Sequence, residues 1–332
     1  MPYYVALLKT WGKLEKKRRE ASKLALESVP LFLANSNLTL NRPPTLSRAM
    51  DDVKGTMTTL IPSKLTDEVV SRYKDCPDPR LKEIMISLVK HLHSFAREVK
   101  LTETEWIKGI EFVTQVGQFC DEMRQEFILL SDVLGLEMTV VEINHGIGAG
   151  ETEATLQGPF YVPGAPELPK GAMVSGNPEG EPLDVTGKIQ DPKGKPIGNA
   201  LIDVWQAGED GLYSSQDPGK QKYELRGKFR SDRDGDYHFK SVLPKGYQIP
   251  TDGPVGDLMR ATGRPPWRPA HLHFMVSARG YKALTTHLFV KGAPHINEDA
   301  VFGVKESLIQ DFKPNLDGKG YTLNYSFVLS QA

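Results

Sequence analysis

The chain has 332 residues, 39% of them apolar and 25% charged, an ordinary soluble mix with room for about two domains. Forty-one Lys and Arg against 42 Asp and Glu leave a net charge of −1, which argues against a broad electrostatic footprint for nucleic acid, and no apolar run is long enough to predict a membrane span. Only Cys76 and Cys120 occur, too few for a disulfide scaffold or a Cys-based zinc or iron–sulfur site, and a cytoplasmic location is expected. Of the 30 glycines, 8 fall in residues 1–150 and 22 in residues 151–332, so the two halves are expected to be different kinds of structure.

In chain order, residues 1–45 open with a basic run, Lys13, Lys16, Lys17, Arg18, Arg19 and Lys23, followed by apolar Val29 to Leu33. Glu15, Glu20 and Glu27 interrupt it, unlike an organelle transit peptide, and the apolar stretch is poor for a secretory signal. It reads as a tail or extra helix whose role the sequence does not give. Residues 46–145 read as helical. A short helix near Thr66 uses Val69, Val70 and Tyr73. Asp78-Pro79 then supplies a cap and a first-turn proline for a helix whose Leu81, Ile84, Met85, Leu88, Leu92, Phe95, Ala96 and Val99 recur at steps of three and four. Thr102 and Glu105 have capping-box spacing ahead of Trp106, Ile110, Val113 and Phe119. A further helix is predicted from Asp121 to Leu134, stopped by Gly135. His91 and His93 lie two apart on a helix and cannot share a metal.

Residues 146–332 read as short strands and turns. Strands are predicted at Val185–Ile189, Ala200–Trp205, His271–Ser277, Leu284–Val290 and Tyr325–Leu329. Lys228–Ser231 and Tyr237–Phe239 flank Asp232-Arg233-Asp234-Gly235-Asp236 as a hairpin-type connection. The aspartates resemble the start of a calcium loop, but Leu243 stands where its last glutamate belongs, so a solvated turn is the better reading. One late helix is predicted from Asp299 to about Asp311. The fold class expected is mainly β: an antiparallel β-sandwich preceded by a helical domain.

His271-Leu272-His273 is the most pointed chemical signal. Residues i and i+2 of a strand share a face, so both imidazoles can reach one metal ion. No carboxylate lies within three residues, which counts against a facial triad of two histidines and one carboxylate. Tyr161 and Tyr247 stand between prolines and glycines that stiffen their loops.

Taken in order, Gly158–Pro166, Asn199–Ala207, Gly211–Asp217, Leu225–Tyr237, Leu243–Pro250 and Arg268–Gly292 resemble segments of the intradiol ring-cleavage dioxygenases, over about residues 65–332. The resemblance implies one Fe(III) per chain, held by Tyr161, Tyr247, His271 and His273. Tyr247 would leave the iron when a catechol-type substrate chelates it and would take up a substrate proton. The resemblance also implies O₂ as co-substrate, a charge-stabilising role for Arg268 and a hydrogen-bonding role for His287 behind the ligands. Residues 46–145 would be a linker through which homodimers form, with a phospholipid possible at their interface, and 146–332 the catalytic sandwich. Ile249-Pro250 and the stretch Asp299–Lys305 look more like the hydroxyquinol than the catechol enzymes, so cleavage of 1,2,4-trihydroxybenzene is expected and catechol 1,2-cleavage is the alternative. A reading of another class stays open: Val185–Leu243 also looks like a prealbumin-type carrier module, which would be colourless and metal-free.

Overall fold

The computed structural model describes residues 63–121, 124–145, 150–176 and 178–332; the tail and targeting readings of residues 1–45 lie outside them. The chain divides into two compact units, Met1–Ser94 and Phe95–Ala332. The described part of the first is helical. It holds α1 (Lys64–Ser71) and most of α2 (Pro79–Glu98). Asp78 caps α2 as predicted, its carboxylate accepting from Arg80 N at 2.8 Å and Leu81 N at 3.0 Å. Thr66 Oγ1 lies 3.0 Å from His93 Nδ1, a packing role for that histidine.

In the second unit, α3 (Glu103–Gln118) begins with the predicted capping box, Thr102 and Glu105 bonding reciprocally. It is followed by α4 (Glu126–Val133) and α5 (Leu136–His145). The strands are β1 (Pro182–Gln190), β2 (Leu201–Trp205), β3 (Arg226–Arg230), β4 (Asp236–Val242), β5 (Tyr247–Gln248), β6 (Trp267–Arg268), β7 (His271–Ser277), β8 (Leu284–Val290), β9 (Ile309–Gln310), β10 (Lys313–Pro314), β11 (Tyr321–Asn324) and β12 (Phe327–Val328). Between β5 and β6 lies α6 (Pro254–Ala261).

One sheet joins β4, β1, β11 and β12, with β10 at the edge of β11; the other runs β3-β2-β7-β8-β9. Their inner faces share one core, in which Val185, Ile189, Phe239 and Phe327 meet Ile202, Phe229, Phe274 and Leu288. The sandwich is mixed rather than purely antiparallel. β11 and β12 run parallel to β1, and β9 parallel to β8, because the chain returns across the molecule before adding its last strands. At Gly187 on β1 a Cβ would sit 1.7 Å from Tyr325 O, so only glycine lets the break between β11 and β12 approach β1.

Two further expectations are corrected. Asp232–Asp236 does not close a hairpin. β3 pairs with β2, while β4 pairs with β1, so the turn crosses between sheets and lets Phe229 stack on Phe239 across the core at 5.0 Å. The turn is closed by Asp232 itself, whose carboxylate accepts from Asp234 N and Asp236 N. The late helix from Asp299 is absent. Phe302 takes φ +59°, which no helix accommodates, and the Asp299 carboxylate accepts from Gly303 N at 2.9 Å, leaving one 3₁₀ turn at Glu306–Leu308 before β9.

Candidate metal centre

On β7, Leu272, Phe274 and Val276 fill the sandwich core, so the alternate residues His271 and His273 project from the opposite face of the sheet. Register sets a row across four strands there: Arg226 opposite Trp205, Trp205 opposite His273, and His273 opposite His287. The short β5–β6 ribbon places Tyr247 opposite Arg268. Gly211, at φ +76°, turns the chain that carries Tyr213, and a Cβ there would meet Tyr247 Cβ at 3.2 Å.

These elements bring four donors together. Tyr213 Oη lies 2.8 Å from His273 Nε2, 3.3 Å from Tyr247 Oη and 3.4 Å from His271 Nε2. The two Nε2 atoms are 3.1 Å apart. All four side chains are buried. Donors about 2.0–2.1 Å from a metal ion lie about 2.9 Å apart at right angles and about 3.5 Å apart at 120°. The spacings of 2.8–3.4 Å are close to that range, so one ion could be shared by the four donors.

Proton placement fits the same purpose. Pro269 O can only accept, so His271 carries its proton on Nδ1, 2.6 Å away, and turns a bare Nε2 lone pair to the cluster. His273 does the same when its Nδ1–H donates to His287 Nε2 at 2.8 Å and His287 Nδ1–H donates to Thr155 Oγ1 at 2.9 Å. Burial pushes all three histidines well below the ordinary value, keeping them neutral, the form that ligates. His271, His273 and His287 are close enough to form a three-histidine cluster. However, the His287 Nε2 atom is already engaged by His273 Nδ1, so His287 orients a ligand rather than serving as one.

Around the donors, Arg268 is buried and forms a two-point ion pair with Asp299. Burial alone would pull its guanidinium down; Asp299, Tyr247 and Tyr213 together outweigh that and hold it above its usual value. Ile249 is buried in a cluster with Leu156, Val133 and Val301, and Pro250 follows it half-buried. Asp132, on α4, is 1% exposed, and its carboxyl oxygens meet no donor in good hydrogen-bond geometry, their polar neighbour being another acid, Glu137. Burial first, and Glu137 second, push it up to about 9, while Arg268 opposes them. A cavity of about 790 Å³ borders Asp299 and Ala300, and His271, His273 and His287 are not among its lining residues.

The comparisons with known proteins agree with this architecture. The profile described as "Catechol dioxygenase N terminus" matches residues 78–152, and that described as "Dioxygenase" matches residues 156–331. A 6-chlorohydroxyquinol 1,2-dioxygenase of Cupriavidus pinatubonensis is 51% identical over 80% of this chain and 96% of its own length. A hydroxyquinol 1,2-dioxygenase of a Rhizobium species is 50% identical over 76% of this chain and 86% of its own length. The crystal structure of hydroxyquinol 1,2-dioxygenase from Pseudomonas putida DLL-E4 superposes with a TM-score of 0.75 at 44% identity, over 81% of this chain and 98% of that one.

The chain belongs to the intradiol ring-cleavage dioxygenases.

Of the residues the sequence pointed to, the dioxygenase fold brings together Tyr247, His271 and His273, with Arg268 beside them and His287 behind. It does not bring Tyr161. That phenol donates to Asp203 at 3.0 Å, and its ring packs edge-on against Trp205 at 4.9 Å, the same indole that stacks on His273 at 4.7 Å. Burial and Asp203 push Tyr161 up to about 12. Tyr213 occupies the fourth donor position. A signal for it was present, since Gly211–Asp217 is one of the segments that match the family in order. The resemblance was carried onto Tyr161, whose stiff Pro/Gly-flanked loop says nothing about where its hydroxyl points.

Proposed function

We propose that the chain cleaves 1,2,4-trihydroxybenzene with O₂ between its two adjacent hydroxyl-bearing carbons, giving 3-hydroxy-cis,cis-muconate, within the catabolism of aromatic compounds. The observation that carries this is the convergence of Tyr213 Oη, Tyr247 Oη, His271 Nε2 and His273 Nε2 within 2.8–3.4 Å of a neighbour. Two phenolates and two neutral imidazoles are a hard donor set without thiolate, suited to one Fe(III) per chain. When bound, the iron makes the chelated ring reactive towards O₂, both atoms of which enter the product.

The protein's own residues do the rest. Tyr213, His271 and His273 would hold the ion. Tyr247 Oη would be the base that accepts a proton from a ring hydroxyl of the substrate. Arg268 offers fixed positive charge to the developing negative charge of the ring. Ile249 and Pro250 supply part of the apolar wall that keeps bulk water out. Asp132 is the group fitted to the third hydroxyl. A buried carboxyl that faces another acid, Glu137, with no donor in good geometry is costly, and a ring hydroxyl would relieve that cost where catechol would not.

We also propose a homodimer joined through the helical region, with a phospholipid at its interface, and a cytoplasmic location in which Cys76 and Cys120 stay reduced. Among the described residues, no helix is long and apolar enough to cross a membrane.

The test is a visible spectrum of the iron-loaded protein, with and without hydroxyquinol in the absence of O₂, followed by kcat/KM for hydroxyquinol and catechol. A phenolate-to-iron charge-transfer band that shifts with substrate, and a preference for hydroxyquinol, are expected. A colourless, inactive protein after reconstitution sinks the iron reading, and a clear preference for catechol sinks the substrate reading.

A further inference from the structure

Arg268 could reach several acids. Asp299 holds the guanidinium above its usual value, and the Asp132 carboxyl feels the charge of both Arg268 and Asp299. Among the described residues, only Asp299 is bonded to it. Asp299 Oδ1 accepts from Nε at 3.0 Å and Oδ2 from Nη2 at 3.3 Å. This grip takes one edge of the guanidinium, fixes its plane and leaves Nη1 without an acceptor among the described residues.

Asp299 is itself immobilised. Its two oxygens also accept from Val301 N at 3.4 Å and Gly303 N at 2.9 Å, so the loop Asp299–Gly303 closes around its own carboxylate. The next backbone N–H, of Ala300, donates to Trp267 O at 2.9 Å, on the strand that carries Arg268. Arg264 donates to Ala300 O and to Val133 O, tying the same loop to the end of α4. Any side chain at Gly303 would press on Nη2, since a Cβ there would lie 3.0 Å from it.

We infer that Asp299 is a positioning residue for the ring-cleavage reaction: it holds Arg268 by the Nε–Nη2 edge, keeps it from swinging to the Asp132 carboxyl, and presents Nη1 to the substrate. This rests on the metal centre and substrate class proposed above. The loop Asp299–Gly303 is therefore a part of the active site that acts through Arg268 and needs no contact with the iron or the ring.

The experiment compares the iron-loaded wild type with Asp299→Asn, Asp299→Glu, Arg268→Met and the double variant Asp299→Asn/Arg268→Met. Each is assayed for iron content, resting visible spectrum, kcat and KM. Asp299→Asn should keep the iron and the resting band, lose about 10²-fold in kcat, the loss typical of one misplaced electrostatic donor, and change KM by less than about threefold. The double variant should be no slower than Arg268→Met, because the aspartate has nothing left to position. A wild-type kcat for Asp299→Asn, or losses that multiply in the double variant, would overturn the inference. Asp299→Asn leaves a buried guanidinium half-paired and could fail to fold. Asp299→Glu then carries the test, because it keeps the charge but displaces the grip by one methylene: an intermediate kcat is expected, and a wild-type kcat overturns the proposal. A wild type without the visible band or ring cleavage would sink the underlying iron reading instead, so the two failures are distinguishable.

Discussion

At the scale of single residues, two phenols separate the ligand that the resemblance implied from the one that geometry favours. Replacing Tyr213 by Phe should remove a donor 2.8 Å from His273 Nε2, bleach much of the visible band and cut kcat by at least about 10²-fold. Replacing Tyr161 by Phe removes only the bond to Asp203 and should leave the band in place. Absorption spectra of the two iron-loaded variants decide this, and the reverse pattern would restore Tyr161 as the ligand. His287 is the next test. Replacing it by Ala strips His273 Nδ1 of its partner and should weaken iron binding about 10–100-fold, as is typical for a partner behind a metal ligand. Gln at that position, which retains an acceptor, should recover part of it. Iron retention against a chelator measures both. The legible and illegible parts of the site divide along physical lines. His271 and His273 are legible because a period of two on a strand fixes their common face. The choice among tyrosines is not, because it depends on which loop the tertiary fold folds over β7.

At the scale of elements, local chemistry predicted the helices that cap themselves and the strands with strong β-branched content. The Asp78 cap, the Thr102 capping box and the spans of β7 and β8 appear as expected. It missed α6, although Gly253-Pro254 and the spacing of Val255 and Met259 were a usable start signal. It also predicted a helix after Asp299 where side-chain bonds to Asp299 dictate a turn. Strand pairing across the sandwich, parallel at β1·β11, was invisible because register is a long-range property. α4 breaks a local rule. Its buried side chains include two acids, Glu126 and Asp132. Glu126 is satisfied by Arg124 at 2.9 Å and Val255 N at 3.1 Å; Asp132 is not. The folded Asp132 carboxyl holds its proton up to about pH 9, whereas the unfolded one releases it near the ordinary value of 3.8. Between those limits the unfolded state binds fewer protons, so the wild type loses stability as pH rises. Asp132→Asn cannot ionise, and its Tm advantage over the wild type should widen from pH 4 to pH 9. A pH-independent difference would show that Asp132 is ionised in the fold. Asp132→Leu should lower kcat/KM for hydroxyquinol by at least about tenfold, the scale of one hydrogen bond to a buried polar group, and lower that for catechol less.

At the scale of the whole molecule, the proposed catalytic residues all fall in the unit Phe95–Ala332, while α2 carries an apolar stripe that stands exposed among the described residues. Leu81, Ile84, Leu88 and Leu92 lie three or four residues apart on one stripe and are 46–56% exposed. An apolar stripe of this kind on a protein with near-zero net charge is a liability unless another surface covers it. The proposed homodimer supplies that cover, and any acyl chain held there would contact the same leucines. Each fully buried leucine contributes about 1.5–3 kcal/mol, so placing two carboxylates in the stripe should outweigh what the remaining contacts supply. Leu88→Glu together with Leu92→Glu should convert the protein from dimer to monomer in sedimentation velocity. Organic extraction of the wild type should release phospholipid that the variant lacks. The iron band should survive, because none of its proposed ligands lies in the first unit. A variant that remains dimeric would move the interface elsewhere. A monomer that still yields phospholipid would mean that the lipid site does not depend on the dimer.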